Sequence, residues 1–200
     1  MPTTHLELIA EAIQKTDQRT RLLFTLLLET GMRIRETLSI RFCDIDLSHG
    51  EEKIIVRGKG DRLRAIPLVP GLLSLELLRE EVNKYGADQI YLFPQPGDIS
   101  QPLSYNDASA LWRQLQKQTG TRYHVHQIRH SCATSLLNDG VDIEIIRQLL
   151  GHQDIQTTSH YAKLDIRALR KELIAYVQRR ERGLVREDSA VWGNTLQVLI

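Results

Sequence analysis

The residues that could do chemistry in this chain fall in three places. His126-Gln127-Ile128-Arg129-His130 is followed by Leu150-Gly151-His152 and then by Tyr161. Upstream, Thr30-Gly31-Met32-Arg33 adds a second arginine, and Gly58-Lys59-Gly60 adds a lysine. Arginine forks hold phosphate oxygens in bidentate fashion. Imidazoles titrate near neutrality, and an activated phenol is a nucleophile. These types suit attack on a phosphodiester by a phenol, with no metal.

Each signal also has a plainer reading. His126, Arg129 and His130 share one side of a helix, where Arg129 could grip a phosphate; for His130 the favoured reading is a core histidine bonded to backbone. Arg33 follows a helix-ending glycine and opens the next helix, where it could simply pair with Glu36 three positions on. Lys59 lies at a Gly-Lys-Gly turn, either solvated or delivered into a site by a mobile hairpin. Arg57, Arg62 and Arg64 around it form a basic ribbon suited to a DNA phosphate track. His124, His126 and His130 invite a zinc site, but no Asp or Glu lies near them to complete the ligand set, so no metal is expected. Asp142 to Tyr161 has the pattern of a helix-turn-helix or of ordinary helical packing.

The elements that must position these residues are mostly helical. Thr4-His5-Leu6-Glu7 has capping-box spacing, and Leu6, Ile9, Ala10 and Ile13 follow at helical period. Asp17 caps a second helix with a stripe of Leu22, Leu23, Leu26 and Leu27, which Gly31 ends. A short helix over Ile34 to Ile40 comes next. Lys53 to Arg57 and Arg62 to Leu68 read as a β-hairpin around Gly58-Lys59-Gly60-Asp61. Leu72 to Asn83 is helical, and Tyr85 to Pro102 reads as a long loop. Ser104 caps a helix to Thr119, and further helices are expected at His126 to Asn138, Ile143 to Leu150, Ile155 to Tyr161 and Asp165 to Arg182. The last eighteen residues carry no helix signal, and Thr195 to Ile200 is apolar enough to pair as a strand or dock on a partner. The expected fold class is α+β, mainly α: a helical domain with one small antiparallel sheet.

Bulk properties bound the rest. The 200 residues are 42% hydrophobic, enough for one ordinary domain. The net charge of +1 means that any DNA affinity must come from clustered cations. Cys43 and Cys132 fit no ligand spacing and read as reduced thiols. The start of the chain has no signal-peptide pattern, and the longest apolar run, Leu22 to Leu28 broken by Thr25, is far short of the ~20 residues a membrane span needs. A soluble, cytoplasmic protein is expected, with no membrane partner.

The motifs in order are Thr30-Gly31-Met32-Arg33-Ile34-Arg35-Glu36, Asp44-Ile45-Asp46, Gly58-Lys59-Gly60 with Arg64 and Ile66-Pro67-Leu68, His126-Gln127-Ile128-Arg129-His130, Leu149-Leu150-Gly151-His152, and Thr157-Thr158-Ser159-His160-Tyr161. From about Leu6 to Lys163 this series resembles the tyrosine recombinase (phage integrase) family, over its catalytic domain. The resemblance implies six active-site residues: Arg33, Lys59, His126, Arg129, His152 and Tyr161. It implies a catalytic domain over 1–182 and a tail over 183–200 that docks on a neighbouring protomer, with the family's N-terminal core-binding domain absent. Arg35 departs from the family's usual smaller or differently charged residue.

The activity implied is site-specific DNA recombination or integration without metal, ATP or other cofactor, on double-stranded DNA. The chain would be a monomer alone and a homo-tetramer on DNA. Tyr161 would form a 3′-phosphotyrosine, with Arg33, Arg129 and His152 on the phosphate oxygens, His126 as proton acceptor and Lys59 as general acid. Alternatives are a type IB topoisomerase-like enzyme, a DNA-binding regulator on a residual catalytic fold, and a metal-dependent nuclease using the histidines.

Overall fold

The computed structural model describes residues 1–58, 63–86, 88–151 and 166–182. Lys59, Arg62, His152, Tyr161, the helix expected at Ile155 to Tyr161 and the tail 183–200 lie outside the described residues.

Helix α1 (Thr3–Gln14) buries the expected stripe of Leu6, Ile9, Ala10 and Ile13. Its start differs from expectation. The cap position is Pro2, whose carbonyl accepts the His5 and Leu6 N–H groups at 3.1 and 3.2 Å, so Thr4 lies inside the helix. Proline's fixed φ and missing donor suit the edge of a first turn.

Helix α2 (Gln18–Thr30) is capped by the Asp17 carboxylate, which accepts from the Arg19 and Thr20 N–H groups. It carries the central stripe of the core, with Leu22, Leu23, Leu26 and Leu27 all buried. Gly31 ends it at φ 62, a left-handed conformation that glycine adopts without a Cβ clash.

Helix α3 (Ile34–Leu38) stops two residues before the expected Ile40. The Ile40 carbonyl instead accepts the Leu92 N–H at 2.9 Å, and Arg41 bridges Tyr91. A 3-10 turn (Phe42–Asp44) leads into the antiparallel order β1 (Ile45–Asp46), β2 (Lys53–Arg57), β3 (Leu63–Pro67). The hairpin is in register from Lys53↔Pro67 to Arg57↔Leu63. Its buried face carries Ile54, Val56 and Ile66.

After α4 (Leu73–Tyr85), the long loop expected over Tyr85 to Pro102 contains a second small hairpin, β4 (Pro94–Gln95) and β5 (Asp98–Pro102), turning at Pro96 and Gly97 (φ 86). Strand β5 is almost wholly exposed and β4 is only two residues long, so neither shows the apolar–polar alternation that marks a half-buried strand. The hairpin's signal was the Pro-Gly turn. Among the described residues there are therefore two small sheets rather than the one expected.

Helix α5 (Tyr105–Thr119) is capped by Ser104, and α6 (His126–Asn138) and α7 (Ile143–Leu150) fall on their expected bounds. Helix α8 (Ile166–Glu181) closes the described chain. Helix α2 sits centrally, packed on α1, α4 and α6, while α1 also packs on α5. Phe24 of α2 meets Trp112 of α5 at 5.3 Å between ring centroids. Among the described residues no helix is long and apolar enough to cross a membrane.

Helix α8 is fastened to the sheet by a buried ionic knot. Glu52, 1% exposed, receives Arg79 of α4 at 3.0 Å and Arg170 of α8. Arg170 also donates to the Glu52 and Leu68 carbonyls at 3.0 and 2.7 Å. Replacing a buried carboxylate by a small apolar group strands its cations, a loss of about 3–5 kcal/mol. Glu52→Ala is therefore expected to lower the urea midpoint by that equivalent. A loss under about 1 kcal/mol in urea titration would show that the knot is solvated and dispensable.

Candidate active site

Three arginines from distant parts of the chain meet at the C-terminal end of α7. The left-handed turn at Gly31 reverses the chain after α2 and delivers Arg33 as the residue that opens α3. Helix α6 places Arg129 one turn behind its first residue, His126. Strand β3 supplies Arg64.

Arg129 spans two backbone carbonyls. Its Nη1 donates to Gly31 at 2.7 Å and its Nη2 to Leu150 at 2.6 Å. Arg33 Nη2 reaches the Gly151 carbonyl at 3.5 Å. The last carbonyls of a helix lack intrahelical partners and carry partial negative charge, so cations belong there. The approach is close: a Cβ on Gly31 would lie 2.5 Å from Leu150 Cδ2, and one on Gly151 (φ 66) would lie 3.1 Å from Arg64 Cζ.

One carboxylate organises the other two cations. Glu36, 6% exposed, accepts the Arg33 backbone N–H at 3.0 Å and Arg33 Nη1 at 2.8 Å. It also receives both Nη atoms of Arg64, at 3.0 and 2.8 Å. Burial alone would raise the Glu36 carboxyl. The fork of Arg64 and the donors of Arg33 overcome that and bring it down to about 2. Arg129 is lowered to about 10, first by burial and then by Arg33 and Arg64. It remains protonated at neutral pH, so three cations share one carboxylate. Such a surplus of fixed positive charge, partly desolvated, suits an anion.

The Glu36 shift has a signed consequence. Its folded value lies below the ordinary 4.5, so the native state binds this proton less readily than the unfolded chain. The stabilisation is present above pH 4.5 and fades as pH falls towards 2. Between those limits the pH slope of unfolding stability is expected to be shallower for Glu36→Gln than for the native chain. Equal slopes in denaturant titrations would mean that Glu36 is not held as an anion.

The imidazoles sit at the start of α6. His126 is exposed, stacks on His124 with ring centroids 5.5 Å apart, and meets His130 edge-on at 6.3 Å. Among the described residues no group of three or more His, Cys, Asp or Glu is arranged to hold a metal. Arg57 is exposed at the end of β2, beside a cavity of about 260 Å³ that Glu36, Arg41 and Tyr91 also line.

Of the nine expected site residues, the structure describes Arg33, Arg57, Arg64, His126 and Arg129. Arg33, Arg64 and Arg129 come together. Arg64, expected in a basic ribbon with Arg57 and Arg62, has its fork on Glu36. The organising role of Glu36 was legible only as the i, i+3 spacing from Arg33. Its second partner is a long-range contact with no local signal, and the carbonyls of Gly31, Leu150 and Gly151 left no mark as ligands.

Comparison with known proteins gives this geometry a context. The sequence model of the phage integrase family matches residues 1–167. Tyrosine recombinase XerA of Thermococcus onnurineus is 35% identical over 167 residues, which is 82% of this chain and 57% of that protein. Tyrosine recombinase XerC of Xylella fastidiosa is 36% identical over 156 residues, 76% of this chain and 51% of that one. The chain thus spans about half the length of these curated relatives. Among solved structures, XerA recombinase superposes with a TM-score of 0.65 at 30% identity, over 88% of this chain and 63% of that one. XerH site-specific recombinase bound to its difH substrate superposes with a TM-score of 0.64 at 26% identity, over 90% of this chain and 51% of that one. A family match over residues 1–167 and a relative 35% identical over 82% of this chain lead to the same conclusion: the chain belongs to the phage integrase family.

Proposed function

We propose that residues 1–182 form the catalytic unit of a tyrosine-type site-specific DNA recombinase. The observation that carries this reading is the convergence of Arg33 and Arg129 on the residues that run directly into His152. Two of the five N–H donors of Arg129 are used on carbonyls, which leaves others for a phosphate oxygen.

In the proposed reaction the Tyr161 oxygen attacks a DNA phosphorus, the bond to the 5′ oxygen breaks, and a 3′-phosphotyrosine forms. The phenol, with an ordinary pKa near 10, gives its proton to His126. Lys59 gives a proton to the departing 5′ oxygen. Attack by the 5′-hydroxyl of another strand reverses the step. One phosphoester replaces another, so neither ATP nor metal is needed. Arg33, Arg129 and His152 hold the non-bridging oxygens, where fixed donors lower the barrier most.

The substrate is double-stranded DNA, a reading supported by the XerH site-specific recombinase solved bound to difH substrate. The solvent-facing Arg57 and the neighbouring Arg62 track backbone phosphates, a contact that carries no sequence information. Strand exchange needs four such units, so a homo-tetramer on DNA is proposed. The apolar tail 183–200 docks on a neighbouring protomer, and the chain is a cytoplasmic monomer without DNA.

The test is covalent capture. The chain is mixed with a library of random nicked duplexes, denatured with detergent, and strands that remain attached to protein are recovered. Enrichment of particular duplexes on the native chain is expected. DNA binding without any attached strand would leave a DNA-binding regulator. Capture abolished by a chelator would leave a metal-dependent nuclease, and supercoil relaxation without joining of two sites a topoisomerase-like enzyme.

A further inference from the structure

Arg64 does more than pair with Glu36. Its Nη atoms occupy both carboxylate oxygens of Glu36. Its Cδ, Nε and Cζ lie flat against the α-carbon of Gly151: a methyl group there would sit 3.1–3.2 Å from all three atoms. Its Nε is buried and has no hydrogen-bond partner. A buried donor left unpaired is destabilising, so this packing is not what stability alone would select. Arg64 also lies on β3, the strand that follows Lys59 by a few residues in sequence.

Resting on the recombinase reading above, we propose that Arg64 is a positioning residue of the cleavage reaction: it clamps Glu36, and through it Arg33, to the Gly151 turn that leads into His152. The geometry is that of a keystone. Arg33 reaches Glu36 from the α2–α3 turn, Gly151 presents its bare α-face from the end of α7, and the planar guanidinium of Arg64 fills the space between. Lysine has the same charge but no fork. It cannot bind both oxygens of Glu36 and also cover Gly151 with a plane.

The test uses the full chain and the nicked duplexes recovered by covalent capture. Arg64→Lys is expected to lower the single-turnover rate of adduct formation at saturating DNA by at least about tenfold. The Kd for the same duplexes should stay within about threefold. The pH profile is a second readout. With its fork partner gone, Glu36 should protonate at higher pH, so the variant should lose rate on the acid side where the native chain does not. With both proteins shown by circular dichroism to be folded at every pH assayed, a role in folding alone would move neither. A folded Arg64→Lys that cleaves within twofold of the native rate with an unchanged pH profile would overturn the assignment. Should Arg64→Lys not fold, Gly151→Ala decides: it leaves Arg64 in place and presses a methyl against it, so a native cleavage rate there overturns the assignment equally. Absence of adduct from the native chain would instead remove the recombinase reading, and this assignment with it.

Discussion

Phenylalanine at position 161 is expected to remove covalent protein–DNA adducts while leaving DNA binding nearly unchanged. The substitution deletes one oxygen, the atom proposed to bond to phosphorus. The arginines that would hold the phosphate are untouched. Two of the other described phenols are poorly suited to take its place. Tyr176 is buried in α8, and burial pushes its hydroxyl up to about 12. The Tyr123 hydroxyl is engaged with His5 Nδ1 at 2.6 Å. Removing the nucleophile of a covalent-catalysis enzyme lowers turnover by roughly 10⁶-fold, so adduct should drop below detection. The measurement is a denaturing gel of labelled duplex with native and variant protein, beside a binding isotherm for each. Undiminished adduct from Tyr161→Phe would end the phosphotyrosine mechanism. Loss of binding along with loss of adduct would mean that position 161 supports the fold or the interface rather than the chemistry.

Much of the fold was legible because its signals are local. The stripe Leu22, Leu23, Leu26, Leu27, the Asp17 and Ser104 caps and the glycines that end α2 and α7 each act within a turn or two of chain, and the structure follows them. The hairpin of β2 and β3 was legible for the same reason. The misses have a common origin. In the β4–β5 hairpin β5 is almost wholly exposed and β4 has two residues, so no apolar period marks it. Helix α3 ends early because a segment some fifty residues on takes the Ile40 carbonyl. Arg64 shows the limit most clearly. Leu63 before it is exposed and Ala65 after it only half-buried, yet tertiary contact with Glu36 decides its orientation. Residue types and their order pointed to Arg33 and Arg129, but neither could say that both rest on the carbonyl end of α7. That depends on how α2, α6 and α7 pack.

That packing makes Arg129 the residue with the second-largest expected effect, and one that separates charge from shape. Its two Nη atoms join the end of α2 to the end of α7. Arg129→Ala removes both bonds and leaves two carbonyls without these donors, a loss of about 1–3 kcal/mol in stability. It also removes a donor aimed at the proposed transition state, which in other enzymes costs about 2.7–4 kcal/mol, or 10²–10³ in rate. Arg129→Lys distinguishes the two contributions. A lysine reaches one carbonyl or the phosphate as a point charge, but it cannot bridge two carbonyls and still offer further donors in a fixed plane. Stability is therefore expected to recover in part, with cleavage remaining at least about tenfold below native at saturating DNA. Parallel denaturant titrations and single-turnover adduct assays read both quantities. Should lysine restore cleavage to within about threefold, positive charge alone would suffice at this position, and the planar fork resting on Gly31 and Leu150 would be a feature of the scaffold, not of the chemistry.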